Sequence, residues 1–114
     1  MPEFKLIKEE FSDKFQEWWW TYELEIIFNH QKILKVTITD YPWRKKGREM
    51  ITKELILRLL EKVNGQILKP IEYKGKKKPY KWQTSYQGKR YRLILWFEDN
   101  SSDWIWVRNC HRIN

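Results

Sequence analysis

The chain has 114 residues, 41% hydrophobic and 17% aromatic, with eight Trp and one Cys. That is room for a single domain with one hydrophobic core, and it excludes a disordered polar chain and an internal disulfide scaffold. Lys and Arg outnumber Asp and Glu by 23 to 15, a formal charge of +8, which favours a polyanionic partner, and no apolar run is long enough to cross a bilayer as a helix.

In chain order, Met1-Pro2-Glu3-Phe4-Lys5 lacks the basic start and apolar stretch of a signal peptide, so a cytoplasmic location is expected. Residues 4–8 and 19–28 read as extended. Trp20, Tyr22, Leu24, Ile26 and Phe28 alternate with Thr21, Glu23 and Glu25, the period of a half-buried strand. A turn at 29–32 leads to a second strand with Leu34, Val36 and Ile38; pairing Phe28 with Leu34, Ile26 with Val36 and Leu24 with Ile38 keeps the apolar face together. The basic segment that follows holds Trp43, Arg44, Lys45, Lys46 and Arg48.

One helix is expected over about 50–63. Thr52 is its N-cap, Ile56, Leu59, Leu60 and Val63 form the apolar stripe, and Asn64-Gly65 stops it. Four strands follow, near 66–73, 79–86, 89–98 and 103–110, with turns at Gln87-Gly88 and over 99–102. The expected fold class is therefore α+β: an N-terminal hairpin plus a C-terminal four-stranded antiparallel meander, packed on one main helix. These turns set Arg90 opposite His111, Arg92 opposite Asn109, Leu95 opposite Trp106 and Phe97 opposite Trp104. Trp104 and Trp106 then lie on the helix-covered face, while Lys81, Arg90, Arg92 and His111 share the open one.

Two basic clusters account for the whole excess charge: the one at 44–48, and Lys74, Lys76, Lys77 and Lys78. They are candidate phosphate contacts, with Trp43 as a candidate stacking ring. Guanidinium groups hold and stabilise phosphate, and an imidazole moves protons near neutral pH. Arg90, Arg92 and His111 therefore suit metal-free RNA cleavage. No cofactor and no metal is implied: two His and one Cys do not make a structural zinc site, and Glu72-Tyr73-Lys74 is only half of a metal-nuclease motif. Cys110 and His111, adjacent in a strand, point to opposite faces and form no dyad.

From residue 49 onward the chain resembles the RelE/ParE-type toxins of the barnase–EndoU–colicin–RelE fold group. Leu68-Lys69-Pro70, Lys74-Gly75, Tyr91-Arg92-Leu93-Ile94 and His111-Arg112 carry the resemblance. It implies a toxin-like endoribonuclease in which Arg90 and Arg92 bind the scissile phosphate and His111 is general acid or base, with Arg112 and Lys81 assisting. It also implies RNA, including ribosome-bound mRNA, as substrate and a neutralising antitoxin as partner. The family's N-terminal helices are replaced here by extended segments, and no tyrosine follows His111. Two alternatives stay open: a non-catalytic nucleic-acid-binding module using the basic loops, and a Trp-rich protein–protein domain, self-associating or not, centred on Trp18-Trp19-Trp20.

Overall fold

The computed structural model describes residues 4–41, 51–71, 78–99 and 101–113. Its strands are β1 (Lys5–Ser12), β2 (Glu17–Phe28), β3 (Gln31–Thr39), β4 (Lys69–Pro70), β5 (Tyr80–Tyr86), β6 (Lys89–Phe97) and β7 (Trp104–Ile113), with helix α1 (Lys53–Val63) between β3 and β4. All seven strands belong to one mixed sheet in the order β1-β2-β3-β7-β6-β5-β4, antiparallel except for β3 beside β7. The expected arrangement of a hairpin and a separate four-stranded meander on one main helix is therefore not found. Among the described residues the fold is a predominantly β one, a single seven-stranded mixed sheet with one short helix. The physical reason is that β3 and β7 pair in parallel, Val36 with Ile105 and Ile38 with Val107. The apolar sides of the two halves become one continuous wall. The hairpin extends the sheet instead of covering the back of the meander.

The β2–β3 turn is two residues long, not four. Asn29 and His30 have φ of 52° and 62°, the left-handed pair that matches strand twist in a tight hairpin. Phe28 consequently faces Gln31 and Ile26 faces Ile33, and a register shift follows between Glu23 and Ile26. Ile33 is buried and Leu34 is 41% exposed, the reverse of the expected pairing. The carbonyl of Asp103 accepts from both the Leu34 and Lys35 amides, at 2.7 and 3.1 Å, which fixes this irregularity against the start of β7. Because a left-handed conformation costs a residue with a Cβ about 1 kcal/mol or more, His30→Gly is expected to raise stability by about 0.5–1 kcal/mol. Urea denaturation would show it as a higher midpoint at unchanged slope.

Helix α1 forms as its sequence dictates. Thr52 accepts a bond from the Leu55 amide at 3.1 Å, and Ile56, Leu57, Leu59, Leu60 and Val63 are buried. Asn64 and Gly65 end it and tie it to the sheet. The Asn64 side chain accepts from the Ile27 amide at 2.8 Å, and Gly65, at φ 85°, donates to the Ile27 carbonyl at 2.6 Å. The helix covers a core of Ile26, Phe28, Ile38, Leu93, Leu95 and Ile105, all at or below 1% exposure. Tyr22 sits at the edge of this core, where burial and the carboxylates of Glu54 and Glu9 raise its phenol above the usual value. A raised folded-state pKa favours the protonated form, so its contribution is complete below about pH 10 and fades as pH rises through the folded value. Tyr22→Phe should therefore flatten the alkaline limb of a melting-temperature profile.

Candidate nucleic-acid interface on the open sheet face

Turning from the helix-covered side to the other side of the sheet, two groups of side chains stand out on one surface. The first is basic. On β6, Arg92 lies directly opposite His111 of β7 and opposite Gln83 of β5. With the Gln83 amide oxygen turned toward it, the guanidinium donates through Nη2 and Nε at 2.6 and 2.8 Å, a two-point grip that holds its plane. Arg90 is one pair further along, facing Ser85 and Ile113, and so diagonal to His111 at about 7–8 Å between backbones. Lys81, facing Ile94, shares the face on the other side of Gln83. Arg92 and His111 are half-buried, whereas Arg90 and Lys81 are exposed.

The pairing differs from expectation by two residues: His111 opposes Arg92, not Arg90, and Asn109 opposes Ile94, not Arg92. Two departures in β7 cause this. At the hairpin end, Phe97 pairs with Ile105 and Leu95 with Val107, one residue out of the expected register. Ile105 and Val107 are fully buried, and Trp104 and Trp106 turn to the open face. A register shift between Ile94 and Leu95 then restores the alternation, so Cys110 points into the core and His111 outward. Chemistry could have signalled the slip. In Trp-Ile-Trp-Val, Ile and Val have no polar atom, while each indole N–H needs a partner and suits a half-exposed face. Arg112 opposes the buried Tyr91 and so lies on the side away from His111; it cannot join that group. Of the candidate lysine contacts, Lys78 lies over the Tyr80 ring at 5.9 Å. Trp43, Arg44, Lys45, Lys46, Arg48, Lys74, Lys76 and Lys77 fall outside the described residues, as does the Glu72–Lys74 triplet.

The second group is aromatic, and sequence reasoning missed it. Trp19 of β2, Trp96 of β6 and Trp106 of β7, with Phe15 from the β1–β2 turn, wall a cavity of about 520 Å³. Trp19 and Trp106 meet edge to face at 4.9 Å, and Trp104 stacks beside Trp106 at 6.4 Å. Three indoles of this face are pinned by their nitrogens. Trp19 donates to Glu17 at 2.7 Å, Trp106 to Glu98 at 2.6 Å, and Trp104 to Thr37 at 2.9 Å; the Thr37 hydroxyl also bonds that of Thr21 at 2.8 Å. Glu17 is 5% exposed and receives a second bond from Arg108 Nη1 at 2.9 Å. The Arg108 guanidinium lies over Trp96 and Tyr41, at 5.6 and 5.3 Å from the ring centroids. Trp18 and Trp20 occupy the helix side of β2, stacked at 6.3 Å. The Trp18–Trp20 run is thus divided between two surfaces.

The open face is therefore polarised along the strands. Arg90, Arg92, Lys81 and His111 lie at one end, and indole rings with Glu17, Glu98 and Asp99 lie at the other. Arg92 and Trp96 are four positions apart on β6, about 13 Å at the usual strand rise. Rigid rings and anchored cations on one surface can engage a flexible polyanion through its bases and its phosphates at once. Among the described residues no three of His, Cys, Asp and Glu converge as a cation site, and no helix is long and apolar enough to cross a membrane. No family model, curated protein or solved structure matches the chain.

Proposed function

We propose that the protein binds single-stranded RNA across the open face of its sheet and cleaves it without a metal, in the cytoplasm. The observation that carries this reading is the pairing of the Gln83-held Arg92 guanidinium with His111 on adjacent strands. In this reaction the 2′-hydroxyl loses its proton and its oxygen attacks the adjacent phosphorus. The bond to the 5′-oxygen breaks, and that oxygen is protonated, leaving a cyclic phosphate. Arg92, with Arg90 beside it, stabilises charge on the phosphoryl oxygens. His111 moves the proton at one of the two reacting oxygens, and water serves the other.

The charge of +8 supports steering of a polyanion to this surface. The RelE/ParE-like motifs around Tyr91-Arg92 and His111 support the same chemistry. A ribosome-bound message and a neutralising protein partner belong to this proposal on the resemblance alone. The test is incubation of purified protein with a structureless RNA in excess EDTA. Products ending in a cyclic phosphate are expected, with binding that weakens steeply as salt rises. Tight binding without cleavage in every buffer and with ribosomes present would leave the non-catalytic alternative in its place.

A further inference from the structure

We infer that the tryptophan-walled cavity is a base-recognition slot selective for guanine. This inference rests on the RNA-binding reading and deepens it. The cavity's volume of about 520 Å³ is in the range of small-ligand sites and exceeds what one flat base needs. Two of its wall rings are held in place, since the Trp19 and Trp106 nitrogens are bonded to Glu17 and Glu98. A base enters such a slot by stacking, and any base can do that. Selection must come from the polar groups.

Those groups are unusually one-sided. Among the described residues of the lining, Glu17, Glu98 and Asp99 supply carboxylate oxygens, and Arg108 is the one cation. Glu17 receives both of its bonds on Oε1, so Oε2 is the oxygen left for a ligand. Arg108 uses Nη1 on Glu17, and its Nη2 and Nε remain as a forked donor pair. A carboxylate next to a guanidinium fork is a match for one base. Guanine places two adjacent donors, N1–H and the 2-amino group, on the edge that the Glu17 Oε2 oxygen can accept from. On its other edge it offers O6 and N7, the pair an arginine fork reads. Adenine puts an amino group where Arg108 would also donate, and the pyrimidines have no N7 and fill the slot less. A bare organic cation would also be held by rings and carboxylates. Arg108 opposes it from within, and Lys14 and Lys35 already lie over the neighbouring Phe15 and Trp104 rings, at 5.4 and 5.1 Å. A neutral base on an anionic chain fits this charge distribution better.

The experiment is calorimetric titration of the intact protein with the four nucleoside 5′-monophosphates. All share one phosphate, so the ratio of affinities reads the base. GMP should bind about tenfold or more tighter than AMP, as a bidentate base contact provides. Arg108→Lys retains the charge beside Glu17 but loses the fork, and should bring GMP and AMP to within about threefold. Phe15→Ala removes a ring that is 57% exposed and little used by the core. It should weaken all four nucleotides together, with the melting temperature unchanged. Arg92→Ala should leave the ratio untouched. Equal binding of all four, binding of none, or a preference for tetramethylammonium over GMP would each overturn the slot. Guanine preference without RNA cleavage would remove only the nuclease proposal; cleavage without base preference would remove only this one.

Discussion

Replacing His111 by Ala should slow RNA cleavage by about 10²–10⁴-fold at neutral pH, the range for a positioned proton-transfer group, and leave RNA affinity within about threefold. The asymmetry follows from position. His111 is half-buried between strands, so it contributes little to the long-range field, which the exposed lysines and arginines dominate. Arg92→Ala should behave differently, with cleavage and affinity falling together, because the same guanidinium meets the phosphate in the ground state and as charge builds. Gln83 touches no substrate in this scheme and is a positioning residue. Gln83→Leu frees the Arg92 fork, and it should lower the rate more than the affinity. Single-turnover cleavage at saturating RNA in EDTA separates these cases, with melting temperatures to confirm folding. Cleavage by the His111→Ala protein at the wild-type rate would take the imidazole out of the chemistry.

Local structure was legible wherever local rules decide it. Thr52, the stripe from Ile56 to Val63 and Asn64-Gly65 specify α1 without help from the rest of the chain. The alternation from Trp20 to Phe28 specifies which side of β2 meets the core. Partnership between distant strands was not legible. Nothing in Lys35–Ile38 or Trp104–Val107 announces that they lie side by side in parallel, because that pairing is set by the need to close two half-cores into one. Register failed for a related reason. A turn of uncertain length at 99–102 decides whether Ile105 or Trp106 is buried, and one residue inverts the answer. The basic pair of Arg92 and His111 was placed on one face because the shift between Ile94 and Leu95 adds a second residue to the slip at Phe97, and a two-residue slip leaves the facing unchanged. That compensation hid the aromatic end of the same surface. It is built from Trp19, Trp96 and Trp106 on three strands, and it depends on the β3–β7 junction that the sequence did not reveal.

The Glu17–Arg108 pair joins the two halves at this junction, since β2 and β7 are separated in the sheet only by β3. Arg108→Met should cost about 3–5 kcal/mol, because it leaves a carboxylate at 5% exposure with only the Trp19 indole as donor. For a chain of this size that is a fall in melting temperature on the order of 10–20 °C. Glu17→Gln in the same background should recover much of the loss. An amide carries no charge to desolvate, and its oxygen still accepts from Trp19. A pair solvated through the cavity would instead give a single-variant loss under about 1 kcal/mol, as exposed ion pairs do, and that result would refute its structural role. The double variant is also informative about function. If it folds with wild-type stability but has lost discrimination among nucleotides, the buried pair is held at the cavity for the polar edge it presents. A neutral core of the same shape would have been as stable.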